Sequence, residues 1–335
     1  MRFKHIINVI DSHTEGEPTR IVVSGFPFLP GNSMAEKRDH FKDNFDYLRK
    51  TLLWEPRGHR DMFGAILTPP TDSRAQIGAF FINSEGYIDM CGHASIGITT
   101  VCFDIGILPR QQPENGWHLD TPAGLIPFTP EFGADRIKAV TIQNVPSFLF
   151  NSDVSLTIPE IGNIKADVAF GGNFFLLVNV SQLGISIEVK KIKSLIDLGM
   201  KIRDVANKEI KVYHPQFGNK MRIDLVEFYE DLKNKKADAK NVVIFGKSQF
   251  DRSACGTGTC AKMASLHAKG LLDLNVHYLQ ESIIGTFFSG KLISETKVGN
   301  FSAVIPEITG RAWITGFNQI VVDPKDPFAN GFFLS

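Results

Sequence analysis

The 335-residue chain has little cysteine, no excess of charge and no long apolar run, and each shortage removes a class of protein. Four cysteines are too sparse for a disulfide scaffold and suit a reducing compartment, so a cytoplasmic protein is expected. Lys and Arg total 36 and Asp and Glu also total 36, a balance that gives no electrostatic footprint for nucleic acid or for an anionic membrane surface. No stretch approaches the ~18 apolar residues of a membrane span. The first residues, through Ile6-Ile7-Asn8-Val9-Ile10, hold only a short apolar run that Asp11 ends. They read as a β-strand and not as a signal peptide. Low-complexity tails and long flexible linkers are also missing.

What is present is ordinary globular material, 43% hydrophobic and 21% charged. Its length exceeds one common core of ~100–150 residues, so two domains are expected. Strand-like runs rich in Ile, Val and Phe recur at 20–23, 64–67, 77–82, 174–180, 241–245, 312–314 and 319–322. Helical spacing is clearest over 34–53 and over 194–208, where Leu195, Leu198, Ile202 and Val205 lie near a 3.6 period. Two further helices are expected after Cys91 and Cys255. This mixture predicts an α+β protein of two similar lobes. The boundary falls near Asn144-Val145-Pro146-Ser147: residues 1–145, completed by 312–335, form one lobe and 146–311 the other. The run Lys233 to Lys240 reads as a solvated loop.

The chemistry concentrates in two Cys-Gly steps, Met90-Cys91-Gly92-His93 and Asp251-Arg252-Ser253-Ala254-Cys255-Gly256-Thr257-Gly258-Thr259. In both, a Gly-Ile-Leu or Gly-Leu-Leu stop begins fifteen residues after the cysteine, at Gly106 and Gly270. Matching offsets predict two copies of one unit, each with a thiol at the positive end of a helix, where thiolate is favoured. The apolar positions of the two helices are offset by two residues, so their faces do not superpose. The turn after Cys255 would set backbone N–H groups and two hydroxyls beside the thiol, a ready carboxylate site. Asp251 and His93 add polar groups that could orient a small ligand. Two facing thiols could take a proton from one face of a carbon and replace it on the other, one as base and one as acid.

Blander readings compete. A Cys-Gly step is usually structural and free cysteine is commonly a buried hydrophobe, which is the reading for Cys102 and Cys260. Gly256 to Lys262 lacks the spacing of a phosphate-binding P-loop. Cys91 and His93 could supply two zinc ligands, but no second pair with metal-like spacing lies nearby, so no metal is expected. A Cys91–His93 nucleophile would leave Cys255 unexplained.

These loops resemble those of the proline racemase family, whose patterns are Met-Cys-Gly-His and Asp-Arg-Ser-Pro-Cys-Gly-Thr-Gly-Thr. The resemblance extends through Asp11-Ser12-His13-Thr14, Gly16-Glu17, Glu55-Pro56-Arg57-Gly58-His59, Asp61-Met62-Phe63-Gly64, Phe170-Gly171-Gly172-Asn173-Phe174-Phe175 and Ile308-Thr309-Gly310. It implies Cys91 and Cys255 as the acid/base pair, working without any cofactor. It also implies Gly92, His93, Asp251, Gly256 and Thr257 as the residues that hold substrate carboxylate and imino nitrogen. The implied fold is that of diaminopimelate epimerases: two pseudo-symmetric lobes, each a curled sheet around a central helix, with the active site between them. A homodimer acting on proline or hydroxyproline follows from the same resemblance. Family members that dehydrate trans-3-hydroxyproline replace the second cysteine with threonine, so Cys255 argues against that lyase activity. Phe63 and Phe245 match aromatic positions of proline-specific members, which favours proline over 4-hydroxyproline; the bland alternative is that both are core residues among 27 phenylalanines. A catalytically silent imino-acid binding protein is the non-enzymatic alternative. The chain departs from the family pattern at Glu15, Leu176, Ala254 and Cys260. Ala254 replaces a proline, which predicts a less rigid loop before the second thiol.

Overall fold

In a computed structural model, residues 3–216, 220–232 and 236–334 are described. The chain divides into two compact units, Met1–Ile142 with Arg311–Ser335, and Gln143–Gly310. No helix of the described residues is long and apolar enough to cross a membrane.

The first unit is built on a sheet that starts with strand Ala312–Val322, antiparallel to His5–Thr14. His5–Thr14 turns back on Glu17–Ser24, which runs parallel to Phe63–Thr68. Beyond these come Ile77–Asn83 antiparallel, Trp117–Thr121 parallel, and then Gly124–Phe132 and Ile137–Gln143, both antiparallel. The first parallel crossover carries helix α1 (Met34–Leu53) and the second carries helix α2 (Gly92–Asp104). α1 is started by Ser33, whose hydroxyl accepts the Glu36 N–H at 3.2 Å, while the Glu36 carboxylate accepts the Asn32 N–H. It lays Met34, Phe41, Leu48 and Leu52 on Ile66, Phe80 and Ile82 of one sheet face. α2 is buried from Gly92 to Phe103, as a stripe of Ala, Gly, Ser, Thr and Ile permits close approach by strands on several sides.

The second unit repeats the same order of directions. Ser147–Ile158, Gly162–Phe170 and Phe174–Asn179 pair antiparallel in turn, and Phe174–Asn179 runs parallel to Leu225–Asp231. Ala239–Phe245 follows antiparallel, His277–Ser282 parallel, and Phe287–Val298 and Phe301–Gly310 antiparallel. Phe301–Gly310 then pairs with Ser147–Ile158, closing this sheet on itself. Closure leaves no free edge. Helix α3 (Ile192–Glu209) occupies the first parallel crossover and helix α4 (Gly256–Ala268) the second. α4 lies among the strands and is buried from Gly256 to Ser265.

The two lobes with a sheet around a central helix are therefore present, and each central helix has the stop read from sequence. Gly106 and Gly270 follow the last residues of α2 and α4 with φ of 78° and 69°, the left-handed conformation that glycine adopts without strain. Two local readings change. The first strand does not end at Asp11 but continues to Thr14, because the cross-strand Arg20 meets the Asp11 carboxylate with a two-pronged contact at 2.8 and 2.9 Å. Runs 312–314 and 319–322 are one strand; the stretch between them lies along the sheet border and pairs with His5–Thr14 through a bulge at Asp11 and Ser12. In the expected 233–240 loop, Ala239 and Lys240 already belong to a strand, and 233–235 lie outside the described residues, as do residues 1 and 2 of the N-terminal run.

Gly171 marks how closely the second sheet clasps α4. A β-carbon there would sit 2.2 Å from the Thr257 carbonyl oxygen and 2.7 Å from the Ala261 nitrogen. Gly171→Ala must push the first turn of α4 away from its strand. Overpacking of this kind costs about 1–3 kcal/mol, which a lowered urea midpoint will register; an unchanged midpoint refutes the tight seating of α4.

Candidate active site

Cys91 is the residue before α2, with extended φ and ψ of −139° and 109°. Its carbonyl starts the helix by accepting the Ser95 N–H at 3.0 Å and the Ser95 hydroxyl at 2.8 Å. The thiol, 5% exposed, lies beside the His93 ring, with Sγ 3.4 Å from Nδ1 and 3.7 Å from Nε2. Phe63 meets that ring edge-on, with centroids 4.7 Å apart and planes at 89°. The His93 carbonyl accepts the Thr14 hydroxyl at 2.8 Å, which fixes the backbone on which the ring stands. Burial pulls the His93 pKa down to about 3, so the imidazole is neutral at neutral pH. Cys91, Gly92, His93 and Phe63 thus form one cluster in the first unit.

Cys255 precedes α4 in a different conformation, φ 54° and ψ 103°, a positive φ that a side chain adopts only under strain. A short relay holds it there. The Asp251 N–H donates to the Val243 carbonyl, the Ser253 N–H and hydroxyl donate to Asp251 Oδ1 at 2.8 and 2.7 Å, and the Cys255 N–H donates to the Ser253 hydroxyl at 3.2 Å. The Ala254 carbonyl is tied by Asn241 Nδ2 at 2.8 Å and the Thr259 hydroxyl at 3.0 Å. Asp251, Gly256 and Thr257 are therefore assembled around the second thiol. Phe245, buried, ends the strand that also carries Val243.

Two details differ from the sequence reading. Only one threonine hydroxyl faces the thiol: Thr257 Oγ1 is 3.8 Å from Cys255 Sγ, whereas Thr259 turns back to the Ala254 and Cys255 carbonyls. The helix start does not favour thiolate at Cys255 either. Burial, with Asp251 and Glu227 nearby, pushes its thiol well above the usual range, against the opposing pull of the Gly258 N–H and the Thr257 hydroxyl. Desolvation and two carboxyl neighbours outweigh the dipole. Burial likewise raises Asp251 to about 6.

Glu227 and Asn241 were not singled out in the sequence, yet they stand directly behind the second thiol. Glu227 is fully buried, and its Oε1 accepts from Asn241 Nδ2 at 3.0 Å. Alternation in Leu225-Val226-Glu227-Phe228 would send a glutamate to solvent; here the opposite face of that strand is covered by α4. A glutamate flanked by strand-forming apolar residues was the only available signal. Among the described residues, no group of three or more His, Cys, Asp or Glu is placed to hold a metal ion. All four cysteines are free and buried.

Comparison with known proteins places this geometry among relatives. The family model described as proline racemase matches residues 9–333. A proline racemase of Acetoanaerobium sticklandii is 47% identical over 333 residues, covering 99% of each chain. A 4-hydroxyproline 2-epimerase of Streptosporangium roseum is 41% identical and covers all of both chains. Among solved structures, a hydroxyproline epimerase of Agrobacterium vitis with bound trans-4-hydroxy-L-proline superposes with a TM-score of 0.91 at 33% identity, covering 100% of this chain and 97% of that one.

The buried neutral imidazole gives a direct test. The His93 ring should titrate below pH 5 by nitrogen-15 NMR, and a midpoint near 6.5 would refute its burial. The linked stability effect has a definite sign. Between about 6.5 and 3 the unfolded chain binds the His93 proton and the folded one does not, so this residue removes stability as pH falls through that window.

Proposed function

The chain belongs to the proline racemase family, and from that premise we propose that it interconverts L- and D-proline without a cofactor, with Cys91 and Cys255 as the acid/base pair. The observation that carries this reading is the paired placement of the two thiols, each the residue before a helix enclosed by its own sheet. The near full-length likeness to a proline racemase supports the substrate.

In this mechanism one sulfur takes the α-proton as thiolate. The electron pair left on the α-carbon then takes a proton from the other sulfur on the opposite face, so the C–H bond broken and the C–H bond formed balance. The first-turn N–H groups of α2 and α4, at Gly92, His93, Gly256 and Thr257, are the donors for the substrate carboxylate. Such donors stabilise the charge that develops on deprotonation by ~3–4 kcal/mol each when well placed. Asp251 receives the imino nitrogen. Cys255, with its raised proton affinity, rests as the thiol, and for the enantiomer whose proton faces Cys91 it is the acid. The neutral His93 ring orients Cys91 and does not form an imidazolium pair with it.

Phe63 and Phe245 supply the aromatic walls that suit an unsubstituted ring. A buried ring hydroxyl left without a partner costs roughly 1–3 kcal/mol. The second reading, 4-hydroxyproline 2-epimerase, is favoured by the relative at 41% identity and by the neighbour with bound trans-4-hydroxy-L-proline. The same proposal places the enzyme in the reducing cytoplasm as a homodimer, where its free thiols stay reduced.

Reduced protein incubated without cofactor in deuterated water with L-proline should yield D-proline carrying α-deuterium, read by chiral chromatography and mass spectrometry. Cys91→Ser and Cys255→Ser should each lower kcat by about 10²–10⁴-fold, the usual worth of a general acid or base. Turnover of trans-4-hydroxy-L-proline alone would select the second reading. Full racemisation by either single variant would refute the two-thiol assignment.

A further inference from the structure

Beneath the first turn of α4 lies a buried carboxyl group that the two-thiol mechanism does not use. Glu227 is carried by strand Leu225–Asp231 with its side chain against α4, and its exposure is 0%. Oε1 accepts from Asn241, while Oε2 has no hydrogen-bond partner among the described residues. That free oxygen points toward the catalytic turn. A β-carbon at position 258 would lie 2.7 Å from Glu227 Oε2 and 3.2 Å from Cys255 Sγ, so the two atoms converge on the same bare Cα. Glycine at 258 leaves the carboxyl and the thiol nothing but that gap between them.

The surroundings do not supply enough positive charge for every acid here. From α4, Lys262 faces Glu227, and its Nζ sits 3.1 Å from the centre of the Tyr229 ring. Cys260 faces it from the same helix, Cys255 from the residue before that helix, Asp251 from the preceding loop, Tyr229 from its own strand and Tyr278 from His277–Ser282. The half-buried Arg252 serves Asp251. Burial raises Glu227 to about 7 and lowers Lys262 to about 8, so neither charge is secure. An ionised carboxylate with an unpartnered oxygen beside a thiolate is the least tolerable arrangement of these groups.

We propose that Glu227 is a positioning residue for Cys255: its carboxyl must hold a proton whenever Cys255 is a thiolate, and it ionises only when Cys255 is a thiol. A second buried negative charge under α4 is thereby excluded in either state of the sulfur, and a carboxyl that keeps its proton throughout turnover needs no proton from elsewhere. The proposal rests on the assignment of Cys255 as an acid/base group, and it deepens that assignment by giving the second thiol its own charge balance.

The test titrates Cys255 directly, in a Cys91→Ser background, by the pH dependence of its alkylation with iodoacetamide followed by peptide mass spectrometry. Glu227→Gln keeps an acceptor for Asn241 and removes the charge. Its alkylation midpoint should fall by about one pH unit or more, about tenfold more thiolate at a given pH below the midpoint. A merely structural role would lower the melting temperature and leave the midpoint in place; superimposable curves for a folded Gln variant overturn the proposal. Coupling is reciprocal, so a second measurement needs no change at 227. In carbon-13 glutamate-labelled protein, the infrared band of the protonated Glu227 carboxyl should persist to higher pH with Cys255→Asp than with Cys255→Ser. Equal titration in both overturns the proposal as well. Neither readout requires turnover, so loss of the coupling and loss of the racemase reading would be separate results.

Discussion

Helices α2 and α4 have no solvent face through most of their length, and each must be enclosed by the strands of its own unit. Much else in the structure follows from that enclosure. An interior helix leaves its first-turn N–H groups pointing at whatever occupies its end, and the residue before it is a cysteine in place of the usual Ser, Thr, Asp or Asn. The fold thereby sets a thiol at the start of each buried helix, beside the helix's first-turn N–H groups. Small residues make the enclosure possible. Gly171 lets a strand approach the α4 backbone within van der Waals contact, and Gly258 makes room for both a sulfur and a carboxyl oxygen.

Identical topology does not give the two thiols identical chemistry. Cys91 has extended backbone and a neutral imidazole alongside. Cys255 has strained backbone, a relay through Ser253 to Asp251, and Glu227 behind it. A helix N-terminus is worth roughly 0.3–1 kcal/mol to a nearby charge, which cannot match full desolvation plus two like charges. The second site therefore favours the protonated sulfur. The proposed two-base chemistry needs one thiol and one thiolate at a time, and the surroundings of the two sulfurs are unequal.

A departure from the family pattern is also explained within the first unit. Glu15 occupies the turn between His5–Thr14 and Glu17–Ser24 with φ 46°, and its Oε1 accepts the Arg311 N–H and Nε at 3.2 and 2.9 Å. Its carboxylate thus pins the start of Ala312–Val322 to the turn, so that the last long strand completes the sheet begun by the first.

The sequence alone determined the thiol pair, the two central helices, their glycine stops and the family, because each depends on local residue types at fixed spacing. Phe63, His93, Asp251 and Thr257 were legible for the same reason: they lie near the cysteines in sequence or in matching blocks. Their contacts were not legible, since the Phe63–His93 packing joins a strand to a helix thirty residues later. Only the tertiary structure decided which strand faces are covered. Alternation sends Glu227 to solvent, and the structure reverses that. α4 covers the face that bears Glu227, whereas Asp11 keeps the face of Ile7 and Val9 because Arg20, opposite it, neutralises its charge. The proton affinity of Cys255 was beyond the sequence for that reason. It is set by burial, by Asp251 nearby in sequence, and by a carboxyl twenty-eight residues away, brought close by a strand crossover that no local pattern encodes.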